Sequence, residues 1–173
     1  QTQFETDTTT RLDTPEAMAA ETKKYAGRGY QTLKVKVGLN PDDDVARLQA
    51  VREAIGYDIN IRIEANQGWT VPQAIYALRK MEKFRIQLIE QPVVASDIAG
   101  LREVRQASPI PIMADEACFL PADAVKLIRE AGGVGGGAWW IFPAGFNQEK
   151  EPRKSRFSAV LRIEWRSSSR TAP

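Results

Sequence analysis

Two lysines, Lys34 and Lys36, and four acidic residues, Glu64, Glu90, Asp115 and Glu116, are the groups whose types and spacing could do chemistry in this chain of 173 residues. The stretch LKVKVG places the lysines at i and i+2, on one face of a strand whose other face is Leu33, Val35 and Val37. Glu64 follows Lys36 by 28 residues, Glu90 follows Glu64 by 26, and Asp115 follows Glu90 by 25. Each of these residues closes an apolar, strand-like run at its C-terminal end. A single acidic strand end would read as a cap or a surface group, and a lone K-x-K as two solubilising lysines on a wet face. Recurrence in successive repeats points instead to a site. Three oxygen donors converging from neighbouring strands suit a hard divalent cation such as Mg2+, with Mn2+ as a substitute. Asn66, Gln67 and Trp69 follow Glu64 in a loop where polar groups could orient a ligand, although Trp69 suits a packing lid equally well. Lysines crowded among such groups, and repelled by one another, can serve as proton-transfer groups.

Composition narrows the chemistry further. The chain has no histidine, which removes Ser-His and Cys-His nucleophiles, histidine zinc sites and a histidine base. Cys118 is the single cysteine, so there is no internal disulfide, in keeping with a reducing, cytoplasmic setting. No apolar run suits a membrane span and no signal-peptide pattern is present. The chain opens on Gln1, which reads as a processed or excised piece. From Ala131 onward seven Lys or Arg stand against three Glu, so the net charge of +2 comes from that end and does not mark a nucleic-acid surface.

The elements that must position these groups alternate. QTLKVKV (31–37), INIRIEA (59–65), IQLIEQP (86–92) and PIPIMADE (109–116) read as strands, and FETDTTTRL (4–12) as an earlier one. Helical patterns separate them. Asn40 is placed to cap a helix beginning at Pro41, with three aspartates in its first turn and an apolar stripe of Val45, Leu48, Val51 and Ile55. Thr70 and Pro72 mark another helix start. Five strand–helix units of this size predict parallel α/β architecture. A doubly wound sheet would alternate in the same way, but no GxGxxG turn follows the first strand, so a partial (β/α) TIM-type barrel over residues 1–130 is the reading.

The pattern changes at residue 131. Five glycines occupy the six positions 132–137, paired tryptophans follow, and the rest is basic and serine-rich without a continuing period. No phosphate-loop motif is present, so 131–173 is expected to be an irregular or disordered tail, with a shifted reading frame as one origin. No sixth barrel strand is recognisable in it.

Taken in order and spacing, LKVKVG, RIEANQGW, IEQP and MADE resemble the barrel domain of the enolase superfamily. Within it they are most similar to the muconate-lactonizing subgroup, and there to dipeptide epimerases of the L-Ala-D/L-Glu type, over roughly Phe4 to Glu130. The resemblance implies a Mg2+-dependent isomerase that removes a proton alpha to a carboxylate, from a small substrate such as a dipeptide. It implies Lys36 as the base, Lys34 as its supporting lysine, Glu90 and Asp115 as metal ligands, and Glu116 as the acidic neighbour. Glu64 falls on a ligand position where the family carries Asp, which keeps the charge and lengthens the arm by a methylene. The family's opposing lysine lies on a sixth strand, and its capping domain is not represented here.

Other readings stay open from the sequence. Muconate-type cycloisomerase, dehydratase and succinylbenzoate synthase activities share these motifs. A Schiff-base aldolase would use the lysines but leaves the carboxylates unexplained. A non-catalytic half-barrel would expose strand edges and apolar surface, favouring association with itself or a partner.

Overall fold

The computed structural model describes residues 7–131 and two short strands at 139–141 and 161–163. Five strand–helix units run in order: β1 (Thr8–Thr10), α1 (Pro15–Gly27), β2 (Thr32–Lys36), α2 (Pro41–Ile55), β3 (Asn60–Glu64), α3 (Val71–Met81), β4 (Ile86–Glu90), α4 (Ile98–Ala107), β5 (Ile112–Ala114) and α5 (Pro121–Ala131). Strands β6 (Trp139–Ile141) and β7 (Leu161–Ile163) complete one sheet, whose spatial order is the chain order. Strands β1 to β6 are parallel and β7 is antiparallel to β6. A doubly wound sheet reverses its strand order at a switch point, whereas a barrel winds in one direction. No reversal occurs among the described strands, and each helix from α1 to α5 packs on the next, as in one barrel layer.

Helix starts follow local chemistry. Asn40 accepts from Asp42 N at 3.0 Å and Asp43 N at 3.2 Å, satisfying two donors that the first turn of α2 leaves without helical partners. Thr70 and Gln73 form a capping box at α3. The core lies between helices and sheet. Val35, Ile61, Ile63, Ile89 and Ile112 from the strands meet Leu48, Val51, Leu78 and Leu101 from the helices, all essentially inaccessible to solvent. Each such side chain contributes about 1.5–3 kcal/mol of burial.

One expectation is corrected. The region after residue 131 supplies a recognisable sixth strand, with Trp139 paired to Ile112 and Ile141 to Ala114. Three residues are too few to show a period, but aromatic and β-branched side chains favour strand. The rest of the expected tail lies outside the described residues. Observed strands are also shorter than the runs read from sequence: β1 and β5 have three residues each.

Candidate active site

Register decides which charges meet. Lys36 pairs with Glu64, Glu64 with Glu90, and Glu90 with Met113, so three charged residues stand level across three strands. Asp115 lies two residues beyond Met113, on the same face by alternation. A bulge is needed for this alignment. Ile61 pairs with Ile86 but Arg62 pairs with Leu88, so Gln87 is an extra residue in β4. Without it Glu64 would face Ile89, and Glu90 would turn toward the core.

The side chains then form a single charged cluster. Lys34 Nζ lies 2.8 Å from Glu64 Oε2 and 3.2 Å from Glu90 Oε2. Lys36 Nζ lies 2.8 Å from the same Glu64 oxygen and donates to Asn66 Oδ1 at 2.7 Å. Asn66 in turn donates through Nδ2 to Glu64 Oε1 and, at 3.2 Å, to Glu116 Oε1. It thus links the lysines to the acidic loop. Glu64 and Glu90 are buried, while both lysines keep partial access to solvent.

Burial and charge set the protonation states. Burial opposes the Lys34 ammonium, but Glu90 and Glu64 override it and raise its pKa. Burial would likewise lift Glu64, yet Lys34 and Lys36 hold it below the ordinary carboxylate range. Glu90 is pushed up to about 7 by burial, with Lys34 opposing and the Glu64 and Asp115 charges assisting. Burial, Glu116 and Glu64 also raise Asp115. Burial raises the Cys118 thiol, with Asp123 and Asp115 adding to it, which keeps it from acting as a thiolate.

The cluster fits a divalent cation. Two ammonium groups face four carboxyl groups, an excess of two negative charges when all are ionised. Oxygens of Glu64, Asp115 and Glu116 lie within 4.8 Å of one another. Glu116 Oε2 is buried without a hydrogen-bond partner among the described residues. Hard oxygen donors of this kind are what Mg2+ takes. Glu90 stands outside that group of three, and its Oε2 is engaged by Lys34.

Other loop residues have supporting roles. Trp69 is buried and donates from Nε1 to Asp44 Oδ2 at 3.2 Å, the packing role rather than the ligand-orienting one. Gln67 Oε1 accepts from Ala95 N at 2.9 Å, so it braces a loop. The sequence reading missed two residues, both wholly buried. Asp44, read there only as a helix-terminal charge, accepts from Gly38 N at 2.9 Å, Leu39 N at 3.1 Å and Trp69. It ties the loop after Lys36 to the loop after Glu64. Those loops touch backbone to backbone, since a Cβ at Gly38 would strike Ala65 O and one at Gly68 would strike Gly38 O. Gln91 holds the loop after β5. The available signal was a polar residue at a core-facing position: Asp44 continues the stripe of Leu48, Val51 and Ile55, and Gln91 follows Ile89 by two.

Known proteins share this arrangement of elements. The family profile described as "Enolase C-terminal domain-like" matches residues 17–134. The L-Ala-D/L-Glu epimerase of Bacillus subtilis is 45% identical over 131 residues, 73% of this chain and 35% of that protein. Its counterpart in Clostridium acetobutylicum is 44% identical over 128 residues, 73% of this chain and 36% of that protein. A dipeptide epimerase structure from Cytophaga hutchinsonii, complexed with Mg and D-Ala-L-Val, superposes with a TM-score of 0.71 at 44% identity, covering 72% of this chain and 34% of that one. The chain spans about a third of the length of these relatives.

Proposed function

Because this chain belongs to the enolase C-terminal domain-like family, we propose that it carries the metal-binding and one-base side of a Mg2+-dependent isomerase acting on a dipeptide of the L-Ala-L-Glu kind. The observation that carries the reading is the shared Glu64 carboxylate, contacted by both lysines on one flank and grouped with Asp115 and Glu116 on the other. The resemblance puts Glu64, Glu90 and Asp115 around Mg2+, and the geometry adds Glu116, whose oxygen lies beside those of Glu64 and Asp115. Bound there, Mg2+ supplies positive charge that favours loss of a proton alpha to a carboxylate.

The chain's own residues divide the remaining work. Lys36 touches one carboxylate and the Asn66 amide; once its ammonium proton has passed to solvent, the neutral amine is the base that takes the α-proton. Lys34 touches two carboxylates, and its charge stays in place to tune Lys36. Asn66 orients the Lys36 side chain from the loop side.

A second reading, a metal-binding half-barrel without turnover, is favoured by one observation. Strand β6 carries Trp139, Trp140 and Ile141 where the resemblance puts the opposing lysine. Proton exchange on one face separates the two readings. A dipeptide panel incubated with the chain and Mg2+ in D2O is expected to gain deuterium at the α-carbon of L-Ala-L-Glu by NMR. No uptake by any dipeptide would leave the non-catalytic reading standing.

A further inference from the structure

Gln91 follows Glu90 directly and is wholly buried. A neutral amide is tolerated there only if its polar atoms are matched. Its Oε1 accepts from two backbone amides of the loop between β5 and α5, Asp115 N at 3.0 Å and Ala117 N at 3.1 Å. Its Nε2 donates to Val93 O at 3.0 Å. These donors decide which end of the side chain is oxygen. The main chain is tied as well: Gln91 N donates to Met113 O at 2.9 Å, and Gln91 O accepts from Gln67 N at 2.8 Å. Its φ of 37° lies in the left-handed region, which a residue other than glycine occupies at a cost.

The two amides held by Oε1 flank Glu116 and include that of Asp115. One side chain reaching across from β4 therefore sets the segment that bears both acids. We infer that Gln91 is a positioning residue: by gripping Asp115 N and Ala117 N, it presents Asp115 and Glu116 to Glu64 before a cation arrives. This rests on the reading of the cluster as a divalent-cation site. A preset cluster binds more tightly than one that must first be ordered, and residues behind metal ligands commonly tune affinity in this way.

Two substitutions separate the side chain's grip from its backbone conformation. Gln91→Asn suits the left-handed backbone better and shortens the arm by a methylene. Gln91→Met keeps the length and removes the acceptor. In the metal-free full chain, both are expected to speed hydrogen exchange at the Asp115 and Ala117 amides at least about tenfold, while Ile63 and Ile89 keep their protection. Mn2+ binding, followed by electron paramagnetic resonance, is expected to weaken about tenfold in both.

Unchanged exchange at Asp115 and Ala117 would overturn the inference. So would faster exchange with Mn2+ affinity within twofold of wild type, which would leave the cation site standing without Gln91's part in it. Loss of protection at Ile63 and Ile89 in both variants would overturn it too, because the role would then be global. A wild-type chain that takes up no Mn2+ would overturn the cation reading itself, a result distinct from an unaltered variant beside a binding wild type.

Discussion

On β2 and β3 the outward side chains, Leu33, Val35, Ile61 and Ile63, are sealed beneath the helices, whereas the inward ones, Lys34, Lys36, Arg62 and Glu64, carry charge. The same two strands therefore serve two ends. The outer face stabilises the fold by excluding water from branched aliphatic groups. The inner face gathers ions, whose desolvation opposes folding unless each is paired. Adjacent residues along one strand should consequently fail in different assays.

The inner face should give the largest effect. Lys36→Ala is expected to lower deuterium uptake at the α-carbon about a thousandfold, the scale of losing a proton-transfer group. Its melting temperature should stay close to that of wild type. A variant that kept its exchange rate would move the base elsewhere.

The outer face should give the next. Ile63→Ala empties a site with no solvent exposure, and urea melts should show a loss of about 2–5 kcal/mol. Mg2+ affinity of the folded fraction should stay within a few-fold of wild type. A large loss of affinity would mean that the two faces are not separable.

A smaller effect comes from pH. Glu90 titrates near 7 in the folded, metal-free chain, above its value when unfolded. The folded state therefore holds a proton that the unfolded chain has released. That contribution is full below the ordinary carboxyl range and is lost as pH rises through about 7. Melting temperature should fall between pH 5.5 and 8, on the order of 1–3 kcal/mol in stability, and Glu90→Gln should flatten the decline. Glu64, shifted the other way, contributes stability that is lost only in stronger acid, outside this window. A profile that rises with pH would contradict the assignment.

The smallest effect should come from Gln87→Ala. Gln87 is exposed and accepts from Arg62 Nε at 2.6 Å, while Arg62 keeps its ion pair with Asp7 at 3.0 Å. Stability should change by less than about 0.5 kcal/mol by chemical denaturation. A larger loss would assign the bulge a stabilising role.

Much of this arrangement was legible in the residues. Alternation in LKVKVG separated the lysines from the valines, and equal spacing placed Glu64, Glu90 and Asp115 at strand ends. Caps at Asn40 and Thr70 fixed two helix starts. What stayed hidden depends on contacts between distant segments. IQLIE does not alternate cleanly, and that irregularity is the bulge at Gln87, but its direction is set by pairing with β3. Asp44 and Gln91 do not stand out in the sequence, because an aspartate near a helix start and a glutamine before a proline have ordinary local explanations. Their burial appears only when neighbouring loops close over them. Trp139–Ile141 was too short to show a period.

Calorimetric titration of Mg2+ into the metal-free chain at pH 7.5, beside Glu64→Gln, shows whether Glu64 anchors a cation site. One Mg2+ per chain is expected, with binding at least about a hundredfold weaker when the carboxylate shared by both lysines is neutralised. Equal binding by the two proteins, or no binding by wild type, would contradict it.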